Sequence, residues 1–171
     1  RLSGKPNIQT VSAKGRTDFS IGLKAADPVK YSWNDADADG YDSVTVNCKN
    51  DGAGHSGKVT ITNSGNTPAT VFMEVRGIVV GDATIYNSTN NQLFTIVGPN
   101  PMPNSGDLME IDTYAKEVSY NGDPVGARAM VDVLVDWIKL DPGDNEIKFA
   151  DEGNASSTAT LTVYYRSGWI G

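Results

Sequence analysis

The chain has 171 residues, 39% of them hydrophobic, and carries 14 basic and 21 acidic side chains for a formal net charge of −7. That length suits one core of moderate size, and the acidic balance argues against nucleic-acid binding, which needs clustered Lys and Arg against phosphate. A single cysteine, Cys48, excludes an internal disulfide or a cysteine-rich metal site, a single histidine, His55, excludes zinc hydrolases built on several histidines, and no apolar run approaches the roughly 18 residues of a membrane helix.

The charge is unevenly placed. Residues 1–33 hold six of the bases (Arg1, Lys5, Lys14, Arg16, Lys24, Lys30) and only two acids (Asp18, Asp27), leaving eight bases against nineteen acids beyond them. Within this basic start, DFSIGLKAADP alternates with Phe19, Ile21 and Leu23 on one face, the period of a strand. The chain starts at Arg1 rather than Met, as a processed product or a part of something longer would. One basic strand pair is too small to bury a core alone, so it is expected to pair with an upstream domain or another subunit.

NDADADGYDS, residues 34–43, marks the boundary. Counted from Asp35, it places Asp37, Asp39, Gly40 and Tyr41 at positions 3, 5, 6 and 7 of a calcium loop, but position 12 is Val46, which cannot ligate, and the loop opens into a strand instead of a helix. Asp35, Asp37 and Asp39 are therefore candidate Ca2+ ligands if a carboxylate from elsewhere completes the shell; otherwise the stretch is a solvated acidic linker. A real site would raise the melting temperature in millimolar Ca2+.

Short strands follow, separated by Gly and Pro turns. DSVTVNC puts Val44, Val46 and Cys48 together; GKVTITNSGN puts Val59 and Ile61 inward, with Lys58, Thr60 and Thr62 outward; ATVFMEVRG puts Val71, Met73 and Val75 on one face. QLFTIVG is another apolar strand, and PNPMPNSG, residues 99–106, is a loop because its prolines cannot sit in a central strand. In DLMEIDTY, Met109 and Ile111 face one way and Leu108, Glu110 and Asp112 the other, and EVSYNGDP ends in the tight-turn pair Asn121-Gly122. GARAMVDVLVDWI then carries Ala127, Met130, Val131, Leu134, Val135 and Ile138 at helical spacing, which predicts a helix of two to three turns ending before the Asp141-Pro142-Gly143 turn. NEIKFAD buries Ile147 and Phe149, and TATLTVYYRSGW buries Ala159, Leu161, Val163 and Tyr165.

About eight strands with turns every ten or so residues and one short helix predict an all-β fold: an antiparallel sandwich or jelly roll with an N-terminal β-hairpin arm. The missing β-helix-β alternation argues against a parallel sheet.

No catalytic residues are assigned. His55 lies in the glycine-rich DGAGHSGK with no nucleophile spacing to support it, and Cys48 reads as a small core residue. Glu110 and Asp112 could pair as a glycosidase would need, but alternating acids on the wet side of a strand are the simpler reading. Trp33, Trp137, Trp169, Tyr164 and Tyr165 raise carbohydrate binding against ordinary packing. The sequons at Asn87 and Asn154 read as polar loops.

Several fragments, in order, resemble siphophage distal tail proteins, often called minor tail proteins. GLKAADPVKYSW resembles the strand and turn that close the family's ring-forming domain; NSGNTPATVFMEVRG, the start of its C-terminal galectin-like sandwich; GDLMEIDTYAKEVSYNG, its central hairpin; WIKLDPGDNEIKFAD, its W-x-x-L-x-P-G-x-N-x-I-x-F element; and TATLTVYYRSGWIG, its last strand. The resemblance implies residues 1–33 as the end of the ring domain with its linker, and residues 34–171 as a galectin-like sandwich. It implies a non-enzymatic virion protein at the distal end of a long phage tail. The partners it implies are other tail proteins and copies of itself in a ring; the alternative reading is a carbohydrate-binding adhesin module of galectin-like shape whose partner is a host cell-surface glycan. No nucleic acid, membrane insertion or obligate cofactor is expected.

Overall fold

The computed structural model describes residues 11–13, 16–18, 29–32, 40–48, 57–151 and 157–170. A short hairpin comes first, β1 (Val11–Ala13) and β2 (Arg16–Asp18), paired Val11 to Asp18 and Ala13 to Arg16. β3 (Lys30–Tyr31) and β4 (Asp42–Asn47) lead to β5 (Gly57–Asn63), β6 (Ala69–Arg76), β7 (Ala83–Asn87), β8 (Gln92–Ile96), β9 (Leu108–Asp112) and β10 (Glu117–Tyr120). The chain closes with α1 (Pro124–Arg128), β11 (Lys139–Leu140), β12 (Gly143–Asp151), β13 (Thr160–Tyr165) and β14 (Gly168–Trp169).

Two antiparallel sheets form the sandwich. One has the order β10-β9-β6-β13-β4, with β11 also pairing with β6; the other runs β5-β12-β7-β8. The alternation read from the sequence sets which side chains meet between them. Val71, Met73, Val75, Met109, Ile111, Leu161 and Val163 come from the larger sheet, and Ile61, Ile85, Phe94, Ile96, Ile147 and Phe149 from the smaller. Fully burying side chains of this size stabilises by roughly 1.5–3 kcal/mol each before chain entropy is set against it.

Asn121 and Gly122 both have positive φ, 49° and 81°, as expected for the tight turn joining β10 to α1, and the flanking Tyr120 and Asp123 exchange backbone hydrogen bonds at 3.0 and 2.8 Å. The proline-rich loop runs as expected, yet Met102 within it is fully buried and bridges Val79.

The expected helix over residues 126–138 is a correction. It covers only Pro124–Arg128, with Asp123 as its cap; its side chain accepts from the Val125 amide at 2.9 Å. Beyond it the chain straightens and lies along the edge of β8. There Val97 N donates to Met130 O, Asp132 N to Thr95 O and Asp136 N to Leu93 O, at 2.8, 3.1 and 2.7 Å. The unpaired edge of β8 offers these residues backbone partners, and the chain takes them as an irregular strap with a turn at Val133-Leu134, where the Leu134 amide donates to Asp132 Oδ1 at 3.0 Å. As a result Val133 and Leu134 are 94% and 86% exposed. A second difference is β7, which was not expected: buried Asn87 interrupts the apolar alternation Ala83, Ile85 that would have marked it.

Close to the expected 33/34 division, β3 pairs with β14, Tyr31 to Gly168 and Lys30 to Trp169, and Ser32 N donates to Ser167 O at 2.9 Å. The last strand is held in turn by the turn after β5, where Asn66 N donates to Gly168 O at 3.0 Å and Ser64 N to the Ser167 hydroxyl at 2.9 Å.

Candidate functional site

Alternation along a strand that buries one face must present the other. On β6, burying Val71, Met73 and Val75 turns Thr70, Phe72 and Glu74 outward. Register then assembles a surface. Tyr164 of β13 lies opposite Phe72, and Phe72 opposite Asp112 of β9; one step along, Thr162 lies opposite Glu74, and Glu74 opposite Glu110. An aromatic row thus runs across the sheet beside a carboxylate row. The Phe72 and Tyr164 rings sit 6.0 Å apart, tilted at 47°.

Thr70, Phe72, Glu74, Asp112 and Tyr164 line an open depression of about 700 Å³, together with Tyr31, Tyr41, Tyr114 and Arg166. The Arg166 guanidinium stacks on Tyr41, 3.8 Å from the ring centre, while its Nε donates to Gly40 O at 2.9 Å, so two rim elements are locked together. The carboxylates are partly engaged. Asp112 Oδ1 accepts from the Tyr114 and Ala115 amides at 2.8 and 2.9 Å, Glu74 Oε2 accepts from Arg76 Nε at 3.3 Å, and Glu110 Oε2 accepts from the Ser119 hydroxyl at 2.7 Å.

The residues singled out in the sequence distribute differently. Asp35, Asp37 and Asp39, the candidate Ca2+ ligands, lie outside the described residues, as do Trp33, His55 and Asn154. Among the described residues no group of three His, Cys, Asp or Glu side chains is arranged to hold a metal. Glu110 and Asp112 face outward on β9, as expected. Tyr164 joins the depression. Trp137 instead packs against the core, edge-on to Phe94 with ring centres 5.9 Å apart, and Tyr165 packs against the core from the opposite face of β13 to Tyr164. Asn87 is fully buried and cannot serve as a glycosylation acceptor. Cys48 packs against the core; burial first, then the charge of Asp151, pushes its thiol up to about 12.

Sequence reasoning missed Tyr31, Tyr41, Phe72, Tyr114 and Arg166. One signal was present: Phe72 interrupts the polar face of ATVFMEVRG, where an outward aromatic has no core to serve.

A family model described as siphovirus-type tail component, C-terminal domain, matches residues 64–169. Among solved structures, the Dit protein of phage SPP1, described as a paradigm of hub adsorption apparatus in Gram-positive infecting phages, aligns with a TM-score of 0.56 at 12% identity. The alignment covers 91% of this chain and 56% of that one, so the chain spans a little over half the length of its structural relative. No curated protein matches.

Proposed function

This chain belongs to the siphovirus-type tail component family, and we propose that it is a structural subunit of the distal tail of a long-tailed phage, serving tail assembly and host attachment. The family match over residues 64–169 carries this reading, and the fold shared with a hub protein supports it. The role is structural rather than catalytic. Glu110 Oε2 is bonded to Ser119 and Asp112 Oδ1 caps the turn after β9, so each carboxylate of the pair singled out in the sequence gives one oxygen to the β9–β10 hairpin.

The partners are other tail proteins and further copies of the chain, arranged in a ring by rotational symmetry. Assembly proceeds by strand pairing and burial of apolar faces between subunits. The β1–β2 hairpin motivates this, because a two-stranded ribbon is marginal in water and gains most by joining a larger sheet. Negative-stain imaging of the complete gene product tests the reading. Closed rings with peripheral lobes are expected, and a monodisperse monomer would overturn it.

A further inference from the structure

We propose that the depression on the outward face of the larger sheet is a binding site for a neutral, hydroxyl-rich saccharide. It deepens the host-attachment part of the tail-subunit reading and rests on that reading for its biological setting.

The floor comes first. Phe72 and Tyr164 are cross-strand neighbours on a face that strand alternation turns away from the core, where polar residues are the rule. Two aromatic rings there present an apolar surface, of the kind that the C–H face of a pyranose covers. The exposed Tyr114 adds a third ring, 65% accessible, at the β9 end.

The walls supply acceptors. Glu74 stands directly opposite Glu110, a like-charge pairing that disfavours the sheet. Among the described residues, Glu74 accepts through Oε2 alone, from Arg76 and the Tyr164 hydroxyl, and Asp112 through Oδ1 alone, which leaves Glu74 Oε1 and Asp112 Oδ2 to a ligand. Carboxylates flanking an aromatic floor accept from vicinal hydroxyls of a sugar lying on that floor, in the charge-assisted geometry that is stronger than a neutral hydrogen bond. Arg166, stacked on Tyr41 and bonded to Gly40, fixes the rim in place.

Charge sets the class. Glu74 and Asp112 in the lining, with Glu110 beside them, outnumber the Arg166 of the lining and the Arg76 paired to Glu74, on a chain of net charge −7, so uronate- or phosphate-bearing polymers are disfavoured and uncharged sugars are not. The volume, about 700 Å³, falls within the roughly 300–1,000 Å³ of small-ligand sites.

The test is retention on an array of neutral bacterial-surface oligosaccharides beside uronate- and phosphate-bearing ones, using the complete gene product and its Glu74→Gln and Phe72→Ala variants. Neutral glycans should be retained and acidic ones not, with about tenfold weaker retention for Glu74→Gln. Glu74→Gln relieves the like-charge pairing with Glu110 and gives up the surface ion pair with Arg76, two small and opposed effects, so its thermal melt should stay close to that of the parent, which separates lost binding from lost folding. Retention of nothing, equal retention of acidic glycans, or retention indifferent to both variants would overturn the site. Rings without glycan retention would overturn the saccharide site alone, and burial of Tyr114 on ring assembly would then assign the face to a protein contact. Monomers that retain neutral glycans would keep the site and overturn the ring.

Discussion

Asn87 and Asn145 meet inside the sandwich: Asn87 Nδ2 donates to Asn145 Oδ1 at 3.2 Å, and both side chains are fully buried. Asn145 also holds the turn in which the chain leaves one sheet for the other. Its Nδ2 donates to Asp141 O and Gly143 O at 2.8 and 3.0 Å, and its Oδ1 accepts from Asp141 N at 2.9 Å. The asparagine of the P-G-x-N element is therefore a staple at the sheet crossing. Asn145→Ala should cost about 2–4 kcal/mol, because the buried Asn87 amide and the Asp141 and Gly143 backbone groups lose their partner together. Urea unfolding measures it, and a loss below about 1 kcal/mol would mean water replaces the side chain.

The turn at Asn121-Gly122 allows a cleaner test of backbone conformation. Gly122 has φ of 81° and an added Cβ would meet nothing within 4 Å, so any cost of Gly122→Ala is conformational. Destabilisation of about 1 kcal/mol is expected, read as a shift in the urea midpoint with unchanged slope.

Leu134 and Ile138 separate the irregular strap from the helix that the sequence suggested. A helical stripe would bury both; here Ile138 is fully buried and Leu134 is not. Leu134→Ser should change stability by less than about 0.5 kcal/mol. Ile138→Ala should cost about 2–5 kcal/mol. Comparable losses at the two positions would contradict the strap.

Glu146 gives a pH dependence of known sign. Hydrogen bonds from Lys148 first, then Lys58 and Ser88, hold its carboxyl at about 2, below the ordinary 4.5. Both lysine ammonium groups lie 3.0 Å from it. A carboxyl that titrates lower when folded stabilises fully above about 4.5, and this contribution fades as the pH falls toward 2. The stability gap between the parent and Glu146→Gln should therefore be present at pH 7 and gone near pH 2, and salt should narrow it because the group is at the surface. A gap equal at both ends of that range would refute the assignment.

Cys48 should be inert in the folded protein. With its thiol pushed up to about 12 from 9.0, first by burial and then by Asp151, it carries about a thousandfold less thiolate at pH 8 than an ordinary cysteine. Ellman's reagent should label it only after urea is added. Rapid labelling of the native chain would show that the thiol opens to solvent without unfolding.

The sequence by itself determined most strands of the sandwich and their inner faces; the strand expected in DFSIGLKAADP lies outside the described residues. Alternation is a local property: once Met73 is placed inward, Phe72 and Glu74 must point out, whatever the strand's neighbours are. It also determined the Asn121-Gly122 turn, since that dipeptide suits positive φ at both positions. The ordered fragments pointed to the family for the same reason, being local signatures of turns and strands.

What only the tertiary structure decided is everything that depends on which strand lies beside which. VDVLVDW carries a helical pattern, and the open edge of β8 drew it into an irregular strap instead. β7 was hidden because Asn87 looks like a loop residue until Asn145 and the Lys139 carbonyl are there to satisfy it. The depression draws Tyr31, Phe72, Asp112 and Tyr164 from β3, β6, β9 and β13, and no window of sequence contains its aromatic row. Pairing register is a long-range choice, made by the burial of all the inward faces at once, so a surface built from outward residues of several strands exists only after the core has formed.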